Sequence, residues 1–465
     1  VMQIAGSTFP ITVYATDQDY NVNQTTSTVI TISFDEPSPY NDPYAVAPAT
    51  LSLAGGTTGF NIVLYNAENK ETKVKATGAL LSTARSSSTA AIPLRAAGFN
   101  KYQVLVPPQV QDAGRPPYDY GSSTGGKTAV SITTQTAGGS FRITIRAVDL
   151  YWNRTTDQSP TIGVFSEDAY DTDITSVTLF GGTTDFLWTF KKSNKSPGWK
   201  IWAEDANPFS TSSSPVIPVD YGAPAGLQVL LPGETGVPGS GTGKSGSPSA
   251  WTAGVSTVVI VNTVDATYNI VENDSSQVVA SADDPYDLPA TVGQSLQNGS
   301  TAFTFTLFSS SASTRIRAYD NSPLIQGWIG SGSNFLSDPF TVNPNTPTKL
   351  QILIPNEAAL PGSPVGKYWT GITTQTAGVP FNVTINATDN WYNLVSTNPS
   401  IKVITNDPYD THPANQQLVS GSTVFSFTMQ TVNADPPSLA GWVINASTAE
   451  VGSYYARLSD GGGSR

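Results

Sequence analysis

From Phe381 the chain alternates apolar and polar residues, with Phe381, Val383, Ile385 and Ala387 separated by Asn382, Thr384 and Asn386. A second run centred on Ile401 and Val403 continues the pattern after a turn. Period two places every other side chain on one face, which predicts half-buried strands. Between the runs stands Asp389-x-x-x-Asn393, and the second run ends in Asp407-Pro408-Tyr409-Asp410. The same arrangement is written three more times, at Asp17 and Asn21, Asp149 and Asn153, and Asp265 and Asn269. The residue before the asparagine is always aromatic: Tyr20, Trp152, Tyr268 and Tyr392. The turn aspartates lie 116 to 132 residues apart, so the chain reads as a tandem array of modules large enough to bury their own cores.

Each copy carries further matching segments. An apolar opening strand (Tyr102 to Pro107, Leu227 to Pro232, Leu350 to Pro355) leads into a loop with a Gly-Lys pair (Gly126-Lys127, Gly243-Lys244, Gly366-Lys367). An Ala-Gly pair precedes the alternating strand. The Asp-Pro-Tyr corner follows it at Asp42, Asp284 and Asp407, with Asp168-Ala169-Tyr170 in the second copy. Strands at Phe60, Phe186, Phe303 and Phe425 come later, and no segment of ten or more residues has a clean helical period. The expected fold is all-β: a tandem array of four Ig-like antiparallel β-sandwich domains of about seven strands each, over residues 1–95, 101–220, 226–343 and 349–460. Short linkers, at Ala96 to Lys101, Tyr221 to Gly226 and Asn343 to Lys349, favour an end-to-end arrangement. Ala5-Gly6 aligns with the later Ala-Gly pairs, so the first domain is expected to lack its opening strand, and the stretch around Glu36 to Tyr40 is an insertion. The strand is expected either from an upstream segment of a longer chain or from a neighbouring copy. Ser459 to Gly463 is a poor donor.

The Asp-x-x-x-Asn unit has a local explanation, because both side chains hydrogen-bond their own turn and Asn tolerates positive φ. The pattern resembles the strand-turn-strand D-x-x-G-N hairpin of bacterial Ig-like domains of the invasin and intimin adhesin type, with an aromatic residue in place of the glycine. That resemblance implies tandem Ig-like domains forming an extracellular stalk.

Calcium is the competing use of the repeated acids Asp168 and Asp171, Asp284 and Asp287, and Asp407 and Asp410, although EF-hand spacing is absent and turn chemistry is the favoured reading. No other metal or cofactor is expected. Gly121 to Thr128 matches the letters of a phosphate-binding loop, but no helix follows it and the other copies do not keep the pattern. Isopeptide cross-links through the Gly-Lys lysines would need buried strand lysines, whereas these are expected in loops. His412 is the only histidine, which excludes a recurring triad or zinc site. Glycosylation candidates are Asn153, in a turn expected to be exposed, and Asn273, Asn298 and Asn445. Trp152 and Trp391 are candidates for an aromatic surface toward carbohydrate or neighbouring chains, with packing as the favoured alternative.

Composition narrows the class. Charged residues make up 12% of the chain against roughly 25% in ordinary soluble domains, with a net charge of −12, so nucleic acid and anionic membrane are poor partners. There is no cysteine, and no apolar run long enough to insert in a membrane. No signal peptide opens the sequence; for a secreted protein it is expected outside it. Residues that recur in every module look architectural rather than catalytic. The expectation is therefore a non-enzymatic, secreted or surface-displayed structural protein that assembles with copies of itself. An adhesin stalk, or carbohydrate-binding modules of a secreted enzyme, are the alternatives.

Overall fold

The computed structural model describes residues 1–34, 37, 41–68, 71–78, 87–205, 212–288, 293–320, 336–369, 371, 373–432 and 442–448. Every regular element among them is a β-strand. The chain forms two compact units, Val1–Gly222 with Pro238–Gly241, and Ala223–Val237 with Thr242–Arg465. Each unit holds two Ig-like sandwiches built around separate apolar cores.

In the first unit the second sandwich shows the complete plan. Phe141–Val148 lies between Lys101–Leu105 and Thr183–Trp188, antiparallel to both. A facing sheet runs Ile174–Thr178, Thr161–Ser166, Ile201–Glu204, Ser212–Ser213. A third pairs Gln135–Thr136 in parallel with Ile217–Asp220 and the latter with Asn194–Trp199. The alternation read from the sequence is what seats the core: Phe141, Ile143, Ile145 and Ala147 are buried with Trp188, Phe190, Ile201 and Ala203, while Arg142 points to solvent.

The first sandwich departs from this plan where the sequence said it would. Thr8–Tyr14 is held on one side by Thr57–Val63 in a two-stranded sheet, whereas its counterparts each lie between two strands. The consequence is visible in burial. Ile143 and Ile145 are 0% exposed, but the matching Ile11 and Val13 are only half-buried. All of the proposed insertion except Pro37 and the segment Ser459 to Gly463 lie outside the described residues.

The second unit repeats the layout. Ser256–Val264 lies between Gly226–Leu230 and Ser300–Thr306, and Phe381–Thr388 between Lys349–Leu353 and Ser422–Phe427. Facing sheets are Gln294–Ser295, Gln277–Ala282, Ile316–Asp320 and Gln416–Gln417, Ser400–Thr405, Ile444–Thr448. Each sandwich here adds a small hairpin, Glu234–Gly236 with Lys244–Gly246 and Glu357–Ala359 with Lys367–Trp369. These hairpins correct the loop placement of the Gly-Lys lysines: Lys244 and Lys367 are strand residues, and Lys127 is buried. Lys244 pairs with Glu234 at 2.7 Å and Lys367 with Glu357 at 3.1 Å, so these amines meet carboxylates in ion pairs.

Candidate functional site

The Asp-x-x-x-Asn turn is built identically four times. Asp149 Oδ1 accepts the N–H groups of Tyr151 (2.8 Å) and Asn153 (2.9 Å), and Oδ2 accepts Asn153 Nδ2 at 2.9 Å. Asp389 holds Trp391 and Asn393 in the same way, Asp265 holds Thr267 and Asn269, and Asp17 holds Asp19 and Asn21. Positive φ falls on the aromatic residue, not on the asparagine: 62° at Tyr20, 70° at Trp152, 62° at Tyr268 and 64° at Tyr392. That corrects the role assigned to Asn in the turn and explains why glycine occupies this position in the D-x-x-G-N pattern. A left-handed non-glycine residue costs about 1–2 kcal/mol, so the ring must find compensating contacts.

The Gly-Lys pair supplies them. Gly126, Gly243 and Gly366 lie flat against Trp152, Tyr268 and Tyr392, so closely that a Cβ would stand 2.2–2.3 Å from the ring. Lys101 Nζ covers Trp152 at 3.6 Å from a ring centroid, and Lys349 covers Tyr392 at 4.2 Å, both in cation–π range. Glutamines of the opening strands, Gln103, Gln228 and Gln351, donate to the carbonyls of the same three glycines at 2.6–2.7 Å. The glycine is therefore the seat of the turn.

What sequence reasoning missed is where the asparagine's second hydrogen-bonding capacity goes. In the first unit Asn153 reaches into the first sandwich, where Oδ1 accepts Ala67 N–H at 2.7 Å and Nδ2 donates to the Tyr65 carbonyl at 2.8 Å. Asp149 Oδ2 also accepts the linker N–H of Ala97 at 2.9 Å. In the second unit Asn393 does the same between the fourth and third sandwiches, taking Ser310 N–H and giving to the Phe308 carbonyl, each at 2.7 Å. Asp389 Oδ2 accepts linker N–H Asn345 at 2.9 Å. One turn thus locks its own strands and clamps the preceding sandwich.

The Asp-Pro-Tyr corners make the receiving surface. Asp42 Oδ2 accepts Tyr65 and Asn66 N–H (2.6 and 3.0 Å), and Asp284 Oδ2 accepts Phe308 and Ser309 N–H (2.6 and 2.8 Å). These loops then offer one carbonyl and one N–H to the incoming asparagine. Asp168 and Asp407 hold Lys191 with Lys192 and Gln430 with Thr431 in the same manner. The third residue of each clamping turn covers the Ala-Gly pair of the sandwich before it, Tyr151 lying on Gly6 and Trp391 on Gly254. Tyr151 also meets Tyr65 at 4.9 Å, and Trp391 stacks on Phe308 at 5.6 Å. Arg146 and Glu68 add a partly buried ion pair across the first junction.

Two sequence-based assignments are overturned by this geometry. Asn153 is buried with its amide fully engaged, so it is not an exposed glycan acceptor. Trp152 is 0% exposed and cannot form an aromatic surface; Trp391 is half-buried over Gly254. Asn273 and Asn298 are exposed, and Asn445 is half-buried.

The acids proposed for calcium hold hydrogen-bond donors of the protein, while Asp171 Oδ1 is buried without one. Asp168, Asp284 and Asp407 bind backbone N–H groups as described. Asp171 accepts Ser166 Oγ and Trp188 Nε1 at 2.6 and 2.9 Å, Asp410 accepts Thr405 Oγ1, and Asp287 is half-buried beside Asp284. Among the described residues no three His, Asp or Glu side chains are grouped to hold a metal ion. His412 Nδ1 lies 2.9 Å from Asp410 Oδ1. Environment also splits the turn aspartates: burial raises the Asp149 carboxyl, while in the exposed turn the Asn21 hydrogen bonds lower that of Asp17.

No protein-family model matches the chain, and no curated protein matches it. Among solved structures, the Escherichia coli adhesin FdeC matches at a TM-score of 0.26 and 15% identity, over 73% of this chain and 93% of that one. The FN1–FN3 domains of chicken CNTN1 match at 0.21 and 12%, over 70% and 97%. A β-glycosidase from Bacteroides vulgatus matches at 0.18 and 11%, over 48% and 24%. At such scores these likenesses carry no part of the functional reading.

Proposed function

We propose that this chain is an extracellular structural repeat protein, a subunit or segment of a self-assembling surface fibre, sheath or surface layer. The observation that carries the reading is the clamp, found in each unit with the same pair of asparagine hydrogen bonds, one accepted from an N–H and one donated to a carbonyl. The repeated polar residues that could have served chemistry are consumed in closing turns and joining neighbours. Such joints suit a protein that bears load, because each is buried and directional. The low charge fits the same reading, since copies meet with little electrostatic penalty. The open edge of Thr8–Tyr14 would accept a completing strand, from an upstream segment or a neighbouring copy, that covers Ile11 and Val13.

Electron microscopy of the native material tests this. Ordered fibres or layers with an axial repeat are expected. Dispersed single molecules would overturn the self-assembling role and leave the stalk of an adhesin, with its binding tip outside this sequence.

A further inference from the structure

The fourth sandwich carries the receiving half of a clamp. Asp407 Oδ2 holds Gln430 and Thr431 N–H at 2.8 and 2.9 Å, as Asp42 holds Tyr65 and Asn66, and Asp284 holds Phe308 and Ser309. By position, the Gln430 carbonyl and Val432 N–H correspond to the Tyr65 carbonyl with Ala67 N–H, and to the Phe308 carbonyl with Ser310 N–H. Gln430 is exposed and Val432 is 70% exposed. Gly378, the counterpart of Gly6 and Gly254, has the same left-handed φ (80°) and open space above it, where those two are covered by Tyr151 and Trp391.

The first sandwich carries the inserting half. The turn from Asp17 to Asn21 is fully formed, with Asn21 N–H and Nδ2 on the Asp17 carboxylate at 2.9 and 3.1 Å, yet both residues face solvent. Its geometry matches the turns that clamp, including φ of 62° at Tyr20. One difference bears on strength: Asp19 stands where Tyr151 and Trp391 supply rings, so the Asn21 hydrogen bonds carry more of the contact.

We infer that the Gln430–Val432 loop and Gly378 of one molecule receive the Asp17–Asn21 turn of a second copy, joining chains head to tail through the same clamp that joins sandwiches within a unit. This rests on the self-assembly reading and names its contact. The two surfaces differ, so the contact is heterologous and one junction leaves both outer ends available for the next.

Sedimentation velocity of the full chain over a concentration series is the test, with Asn21→Ala as head variant and Val432→Pro, which removes the N–H, as tail variant. Gln430→Glu, an exposed change that sets a carboxylate against Asp17 and Asp19, guards against a local backbone effect of the proline. Wild type is expected to grow in steps of one 48.9 kDa chain, and each variant alone to associate at least about tenfold more weakly, as for loss of about 1.4 kcal/mol. An equimolar mixture of head and tail variants retains one intact junction, so it is expected to form pairs and nothing larger. A wild type that stays monomeric throughout, or variants that associate as it does, would overturn the head-to-tail contact. If native material still shows ordered fibres or layers in that case, the structural role stands and this contact alone fails.

Discussion

Replacing Asn393 with alanine is expected to destabilise the second unit by about 3 kcal/mol, because it strands the Ser310 N–H and the Phe308 carbonyl, while Asp389 Oδ2 keeps the Asn345 N–H. Each buried polar group left without a partner costs about 1–3 kcal/mol, with partial relief from solvent at the junction. Asn21→Ala deletes the same side chain from the same turn where it faces water, and about 0.5 kcal/mol is expected. The contrast isolates the clamp from the turn. Urea unfolding of the dilute full chain, where copies stay apart, reads both as shifts in midpoint. Equal shifts for the two variants would mean that the asparagine serves only its own turn.

Lys127 gives the second large effect, and it depends on pH. Its amine is 0% exposed, with the Ser213 carbonyl 3.4 Å away, and burial pushes its pKa down to about 7. The unfolded value is about 10.4. Between these values the unfolded chain holds a proton that the folded chain lacks, so stability rises as pH climbs from about 7 toward 10 and is lost again as pH falls back to 7. The full swing is roughly 5 kcal/mol. Lys127→Met is expected to stabilise the protein at pH 7 and to flatten this rise; a variant whose pH profile parallels wild type would contradict it. Lys244 occupies the same place in the third sandwich without this liability. Burial works against its charge too, but the Glu234 and Asp338 carboxylates more than offset that and raise its pKa. In the second sandwich Gln109 stands where Glu234 does, accepting the Val106 N–H as Glu234 accepts that of Leu231. A neutral amide cannot hold the ammonium.

Much of the fold was legible because it rests on period-two alternation and on recurrence. Phe141, Ile143, Ile145 and Ala147 announce a strand and its buried face, and four copies of one turn announce four sandwiches. The half-buried Ile11 and Val13 follow from an alignment that begins at Ala5-Gly6. The clamp was not legible, because Asn153 and Asn393 use local chemistry and tertiary chemistry at once, and a sequence displays only the local part. A signal was present all the same: an aromatic residue where a left-handed turn favours glycine implies a ring held from outside the turn. The Gly-Lys pairs were the other half of that signal, since Gly366 has no side chain so that Tyr392 can lie on it. Asn153 misled for the opposite reason, because a glycosylation triplet in a turn looks exposed until the neighbouring sandwich buries it.

The central claim is that these asparagines bind across domain boundaries, and residue-resolved amide hydrogen exchange on the dilute full chain tests it most directly. Ala67 and Ser310 are held by Asn153 and Asn393 at 2.7 Å and are expected to exchange slowly, while Val432, their positional counterpart in the fourth sandwich, exchanges fast. Ala67 and Ser310 exchanging as fast as Val432 would contradict the clamp.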